Sequence, residues 1–234
     1  MWFSHLQDEH PVLALQDTCP VLSSCYLAGG GATMMGKLVK TDRNATRTGA
    51  RRNDPAGMRE RLIDTAYAAF VGNGYHATSV HDLKREAGVS GGALAHHFPT
   101  KKDIGQSVLR DRVARAVEET WIAPLQAASG AREGILSIFG EIVAELEGRG
   151  SVTGCPLNNL SHDMARQDPD FREEIELIFQ RWRDAIAGKI HEGQTSLNEV
   201  DPDAFATLVI AAYSGAMAMA KASQSAAPLR ACAG

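Results

Sequence analysis

Two short helices separated by a turn of small residues hold the clearest chemical signal in the chain. Thr78 is predicted to start the first helix, Gly88 to end it, and Ser90 to start the second. Free N–H groups at a helix start attract anions, and a helix-turn-helix can place its second helix in the major groove of DNA. This segment therefore points to nucleic-acid binding.

The charge distribution agrees with that interpretation. Residues 36–115 carry 15 Lys and Arg against 8 Asp and Glu, whereas residues 116–234 carry 9 against 17, and the whole chain has a net charge of -4. A basic first part followed by an acidic second part is expected of a DNA reader joined to a regulatory or assembly module. Chance clustering of charges is the alternative.

Other chemistries find little support. There is no P-loop, Rossmann glycine pattern or nucleophile elbow. Adjacent His96 and His97 would point in different directions on a helix, which argues against a metal site. No catalytic residue, metal or cofactor is predicted.

The cysteines indicate a reducing compartment. The four cysteines, Cys19, Cys25, Cys155 and Cys232, are scattered and form no C-x-x-C pair. A disulfide framework is not expected, and the cytoplasm is the predicted location. Cys155 is a structural cysteine or, alternatively, a redox or electrophile sensor.

Helical periodicity predicts further helices, before and after the two short ones, that hold them in place. Apolar residues recur at Leu62, Ala66 and Phe70 before them, and a long helix follows that is capped by Thr100 and closed by Pro124. Further apolar stripes follow, with Asp-Pro start signals at residues 168–169 and 201–202. No useful strand pattern appears, so the predicted fold is all-α.

The two ends of the chain give weaker signals. Residues 1–50 are assigned no fold, either as a disordered tail or as an extension ahead of a true start at Met34 or Met35. Residues 204–220 are apolar at the lower limit of membrane-span length, but a helix buried on all sides, at a subunit interface for example, is preferred. A basic stretch before the first helix is either an arm along DNA or a solvated tail; it holds Arg43, Arg47, Arg51 and Arg52.

The helix-turn-helix segment resembles the TetR/AcrR family of bacterial one-component repressors. The pattern G-Y-x-x-T-S-V, followed by A-G-V-S-x-G-A-L-x-H-H-F-x-x-K, is matched within residues 58–104. The resemblance implies a three-helix DNA-binding domain at residues 51–103 and a helical ligand-binding and dimerisation domain at residues 104–234. The family's last helix normally continues further, so the resemblance also implies that the last helix is truncated.

The resemblance assigns roles to individual residues. The start of the second helix would face a phosphate, His97 and Lys101 would hold the DNA backbone, and the third helix would face base edges. Ala95 stands where the family has a phosphate-contacting tyrosine, so one anchor is missing. The implied DNA-binding residues are Thr78, Ser90, Gly91, Gly92, Ala93, His96, His97 and Lys101.

The second half resembles one subgroup of these repressors, with less specific motifs. It implies an inducer pocket within the middle helices and a dimer formed by the last two, although each pocket candidate is equally readable as plain core. The pocket candidates are Trp121, Phe139, Ile142, Val143, Leu160, Met164, Phe179 and Trp182. The dimer candidates are Phe205, Leu208, Val209, Ala212, Ala216 and Met219.

Three function classes follow from these observations. The first is a homodimeric repressor that binds a palindromic DNA operator and is released by a small, hydrophobic inducer. The second is a DNA-binding activator or architectural protein without an inducer, and the third is an enzyme on a helical scaffold. A dry, filled second domain would favour the second class, and a convergent set of polar groups there would favour the third.

Overall fold

The structure, a computed structural model, describes residues 55–193 and 201–233. Within these ranges every regular element is helical, which confirms the all-α prediction. The expectations for residues 1–50, and for the arginines up to Arg52, lie outside the described residues. The helices are α1 Pro55–Asn73, α2 Val80–Glu86, α3 Gly91–His97, α4 (residues 101–127), α5 Ala131–Arg149, α6 Pro156–Met164, α7 Pro169–Glu192, α8 Pro202–Ser223 and α9 Ala227–Ala233.

Helix α4 is continuous but not uniform. Two π-helical turns, Leu109–Val113 and Glu118–Ile122, interrupt its α-helical stretches. The second turn ends just before Pro124, which has no N–H group to donate to the carbonyl of Thr120. The predicted domain boundary between residues 103 and 104 falls inside this helix, so α4 is shared by both parts.

The first three helices contribute buried side chains to the hydrophobic core of the chain. Leu62 and Phe70 from α1, Leu83 from α2, and Leu94 and Phe98 from the α3 region are all buried. Burying these side chains orients α3 relative to α1, with its opposite face toward solvent. The sequence prediction that Leu94 and Phe98 belong to the core is confirmed.

The helix caps are mostly as predicted, with one correction. Ser90 caps α3 and Thr100 forms a capping box with Asp103 at the start of α4. Helix α2, however, is capped by Ser79, whose hydroxyl accepts from the backbone N–H of Asp82, and not by Thr78. The Ser-x-x-Asp spacing of a capping box selects Ser79, because a cap at Thr78 would put His81 in the acidic position.

Charged side chains join α1 to α4. The buried guanidinium of Arg112 contacts Glu60 at 2.7 Å and Asp64 at 2.5 Å, both on α1. Arg59 reaches in the other direction, to Asp111 at 3.2 Å. These pairs fix α1 to the helix that continues into the second half of the molecule.

The last three helices, α7 to α9, pack on one another in chain order. Asp168 and Asp201 cap α7 and α8 as predicted. Within a single copy of the chain, α8 leaves Phe205, Leu208 and Met219 exposed, so burial of the whole helix requires a partner and stays a prediction. After α8 the chain turns at Gln224, and α9 packs back with Leu229 fully buried.

Helix α8 is also the one described helix that is long and apolar enough to cross a membrane. Its most apolar window has a mean hydropathy of 1.4 and is 33% buried within the protein. One helix of this kind is weak support for a membrane span, because core helices of soluble proteins have the same length and composition.

Candidate functional site: a DNA-reading surface and an internal cavity

Helix α3 brings most of the predicted DNA-contacting residues onto one surface. Ser90, Gly91, Gly92 and His96 are exposed, while Ala93 and His97 are half-buried. The hydroxyl of Ser90 accepts from the N–H of Ala93 at 3.1 Å. These residues therefore form an exposed surface, but most of their side chains are short. The hydroxyl of Ser90 is already engaged in capping α3.

Two of the predicted DNA contacts have other partners in the structure. The Thr78 hydroxyl is buried and donates to the carbonyl of Gly74 at 2.8 Å, so this side chain is not available to a DNA phosphate. The ammonium of Lys101 lies 4.3 Å from the centroid of the Tyr75 ring, and burial lowers the pKa of this lysine. Lys101 is half-buried, and its contact with a DNA phosphate stays a prediction, whereas the Thr78 side chain has a structural role.

The start of α2 is also less suited to an anion than the sequence suggested. The carboxylate of Asp82 accepts both the hydroxyl of Ser79, at 2.5 Å, and its backbone N–H, at 3.3 Å. Hydrogen bonding to Ser79 lowers the pKa of Asp82, which therefore keeps a negative charge at this helix start. A phosphate would have to compete with that carboxylate.

A small cavity of about 40 Å³ lies between α4, α6, α7 and α8. Both tryptophans predicted for the pocket line it. Its walls are formed by Val113, Ala116, Val117, Thr120, Trp121, Cys155, Pro156, Leu157, Trp182 and Tyr213.

The other pocket candidates do not line this cavity. Phe139 packs behind it, with its ring centroid 5.7 Å from that of Trp121. Phe179 lies instead on a groove between α7 and α8. The remaining four belong to the core or pack against it, because their side chains face neighbouring helices; these are Ile142, Val143, Leu160 and Met164.

Sequence reasoning missed the residues of the cavity that α4 contributes besides Trp121, and those from the α6 entry. Val113, Ala116 and Val117 lie eight, five and four positions before Trp121, so they share its face of the helix. This apolar spacing was the available signal. At the α6 entry Gly154 adopts φ 90°, and an added Cβ there would meet the Asn159 side chain at 3.0 Å, so glycine fixes the approach to Cys155.

The polar groups of the cavity are uncharged. The Tyr213 hydroxyl lies beside the Cys155 thiol, and burial raises the pKa of both groups. Tyr213 also packs its ring against both tryptophans, with centroids 5.0 Å from Trp121 and 5.5 Å from Trp182. A buried thiol with a raised pKa is a poor nucleophile, which argues against Cys155 as a sensor.

Helix α6 connects the cavity to the DNA-reading helices. Its first residues, Pro156 and Leu157, form part of the cavity wall. At its other end the carboxylate of Asp163 accepts hydrogen bonds from the backbone N–H groups of Tyr75 and His76, in the turn between α1 and α2. The short helix α6 thus contacts both the cavity and the turn between α1 and α2.

Helix α8 presents an apolar face to solvent. Leu208 and Met219 are 61% and 62% exposed, and Phe205 is 41% exposed. Two predicted dimer residues are corrected, because Val209 and Ala216 are buried within their own chain and are not available to a partner. Ala212 is exposed, as predicted.

Comparisons with known proteins agree with this architecture. Residues 62–108 match the family described as bacterial regulatory proteins, tetR family, and residues 131–234 match the C-terminal domain of LmrA/YxaF-like transcriptional regulators. The HTH-type transcriptional repressor DhaR of Mycobacterium sp. (strain GP1) is 25% identical over 182 residues, covering 74% of this chain and 86% of DhaR. LmrA of Bacillus subtilis is 21% identical, covering 73% and 90%.

Solved structures show the same fold. The reduced form of Escherichia coli NemR superposes with a TM-score of 0.68 at 22% identity, over 76% of this chain and 93% of NemR. A regulatory protein TetR from Rhodobacter sphaeroides gives 0.66 at 22% identity, over 74% and 94%.

An N-terminal helix-turn-helix followed by a helical domain defines a DNA-binding transcriptional regulator, not an enzyme. The chain belongs to the TetR family of these regulators.

Proposed function

We propose that this regulator is a repressor that binds a palindromic DNA operator as a homodimer and leaves it when a small, mainly apolar molecule enters the cavity. In this proposal residues 51–103 read DNA and residues 104–234 hold the inducer and the partner copy. DNA as the partner implies action in the cytoplasm.

The observation that carries inducer-dependent release is the position of α6. Pro156 and Leu157 form one wall of the cavity, and Asp163 holds the turn that leads into the helix-turn-helix. A molecule that moves the wall therefore moves a group bonded to the DNA-reading part. Release follows if the inducer binds the moved arrangement more tightly than the DNA-bound one.

The exposed face of α8 supports a homodimer. Phe205, Leu208 and Met219 place large apolar groups in water, and α7 has one exposed large apolar residue, Leu177, at 43% exposure. Two antiparallel helices from each copy would bury this surface in a four-helix arrangement. Two reading helices would then face half-sites about 34–36 Å apart, or a multiple of that distance.

Binding of the purified protein to DNA from its own upstream region tests this function. A salt series with random-sequence DNA as control should show specific binding with a steep salt dependence, at the mass of a dimer with DNA. Loss of the complex on adding small apolar compounds supports the inducible repressor. Equal binding to random DNA contradicts the operator proposal.

The small volume of the cavity favours a second candidate. A regulator or architectural protein without an inducer needs no internal space, and about 40 Å³ is far less than a drug-sized ligand requires. Specific DNA binding that no small molecule weakens, in the experiment above, would select this candidate.

A further inference from the structure

Two buried donors at the cavity lack well-formed hydrogen bonds. The indole N–H of Trp182 has no partner among the described residues, and that of Trp121 lies near the Tyr213 hydroxyl but makes no hydrogen bond of normal length with it. The two side chains are 2% and 1% exposed, and their ring centroids are 5.0 Å apart. Buried donors are almost always paired, so two unpaired donors lining one cavity indicate where an acceptor belongs.

We propose that the cavity binds a compact, uncharged and mainly apolar molecule whose carbonyl-type oxygen accepts hydrogen bonds from the indole N–H groups of Trp121 and Trp182. This inference rests on the proposed inducible function and adds the chemical class of the ligand.

The other residues of the cavity wall set the rest of that chemistry. Among the described residues that line it, none carries a formal charge. The polar groups besides the indoles are Thr120, Cys155 and Tyr213, and burial keeps the thiol and the phenol uncharged by raising their pKa values. An anion would lose its hydration here without gaining a cation, so an uncharged acceptor is favoured over a carboxylate.

The cavity is smaller than an aromatic ring requires. Benzene occupies an engineered cavity of about 150 Å³ in another protein, whereas this one measures about 40 Å³. A ring-sized ligand must therefore displace a wall. The α6 entry is the wall most able to move, because Pro156 begins a short helix, whereas Trp121 and Trp182 sit within long helices. Binding of such a ligand would shift the helix that carries Asp163.

Matched pairs of probes test the role of the carbonyl group. Each ketone is compared with a hydrocarbon of nearly the same shape: acetophenone with α-methylstyrene, and cyclohexanone with methylenecyclohexane. Benzoate serves as the charged comparison. The full-length protein, labelled with ¹⁵N, has three tryptophans and so three indole N–H signals in its nuclear magnetic resonance spectrum.

The expected result is a downfield shift of the Trp121 and Trp182 indole protons with at least one ketone. That ketone should bind at least about tenfold more tightly than its hydrocarbon, because only the ketone satisfies the two donors. Benzoate should leave both signals in place. Trp121→Phe and Trp182→Phe assign the signals, and each should remove much of the preference for the ketone while keeping an aromatic ring.

Three results would overturn the inference. They are equal or tighter binding of the hydrocarbons, a stronger response to benzoate, and no movement of either indole signal with any probe at millimolar concentration. If a variant does not fold, as judged by its thermal unfolding, the comparison of probes on the unmodified protein decides.

A parallel measurement of DNA release separates this inference from the proposed function. A ketone that shifts both indole signals but leaves the DNA complex intact supports the ligand class and contradicts release. A compound that dissociates the DNA complex without moving either signal supports release and contradicts the ligand class.

Discussion

Asp163 contacts His76 twice across the junction between α6 and the DNA-reading helices. Its carboxylate accepts the His76 backbone N–H at 3.2 Å, and its own backbone carbonyl lies 3.0 Å from His76 Nε2. The same carboxylate also accepts the N–H of Tyr75. This turn is therefore held by a residue 87 positions further along the chain.

Asp163→Ala should loosen this junction. Loss of two hydrogen bonds to a half-buried carboxylate should lower the free energy of unfolding by about 1–2 kcal/mol. Amide hydrogen exchange at Tyr75 and His76 should speed up, since their N–H groups lose their acceptor. His162→Ala changes the exposed neighbour and is the matched control. Unchanged exchange at both amides in Asp163→Ala would show that the contact does not hold the turn.

Lys101→Ala and His97→Ala should weaken DNA binding in different ways. Removing the lysine charge from both copies of the proposed dimer should lower the slope of log K against log salt by about 2, equally for operator and random DNA. His97→Ala should lower affinity for both DNAs, because backbone contacts carry no sequence information. Titrations at several salt concentrations measure both effects. Lys221→Ala, on α8, is the control, and a slope that stays the same in Lys101→Ala would remove this lysine from the phosphate contacts.

Leu208→Glu should convert the dimer into a monomer. The change puts a carboxylate in the middle of the exposed apolar face of α8, where burial in a partner would leave it unpaired. Light scattering after gel filtration measures the mass. Val80→Glu alters another exposed apolar residue, on α2, and should leave the mass as it is. A dimer that persists in Leu208→Glu would mean that copies associate through another surface.

Arg112→Met should destabilise the joint between α1 and α4. The change leaves Glu60 and Asp64 without their shared cation and should cost about 2–3 kcal/mol of unfolding free energy. Arg115→Met, at an exposed position of the same helix, should cost far less. Urea unfolding at pH 7 measures both.

The stability of the unmodified protein and that of Arg112→Met should depend differently on pH. The hydrogen bond from Arg112 holds the pKa of Glu60 below its ordinary value of 4.5. A depressed pKa contributes stability above the ordinary value, and this is lost as the pH falls through the depressed one. The difference in stability between the unmodified protein and Arg112→Met should therefore shrink on acidification below pH 4.5. A constant difference would mean that Arg112 acts through packing alone.

Cys155 should resist alkylation in the folded protein. Its thiol is buried, and burial raises its pKa, so little thiolate forms at neutral pH. Cys232 is exposed and should react. Mass spectrometry of peptides after brief iodoacetamide treatment distinguishes the two, with urea-unfolded protein as the reference. Equal labelling in the folded protein would reopen the sensor interpretation of Cys155.

Local signals in the sequence predicted the structure of the helix-turn-helix segment well. Caps at Ser90 and Thr100 and the apolar spacing of Leu94 and Phe98 depend on neighbours within one or two turns, which the sequence displays directly. Thr78 was misassigned although the Ser79-to-Asp82 spacing was visible. Both residue types are good caps, so only the acidic residue three positions later, Asp82, distinguishes them.

The cavity was less predictable, because it depends on contacts between distant helices. Apolar periodicity marks Phe139 and Leu160 as inward-facing but cannot separate residues behind a wall from those that form it. The two π turns of α4 are likewise not anticipated by a regular 3.6-residue spacing. A similar limit applied to α8, where Phe205 and Val209 are one turn apart on the same side, yet Phe205 is exposed and Val209 is buried.

The small volume of the cavity sets the concentration at which the proposed inducer acts. If only a minor fraction of molecules is open at any moment, the apparent dissociation constant equals the intrinsic one divided by that fraction. Each ~1.4 kcal/mol needed for opening raises the effective concentration tenfold. Relatives with identical wall residues would then detect the same compound at very different doses. The dose threshold would be tuned by residues that hold α6 closed, far from any atom of the inducer.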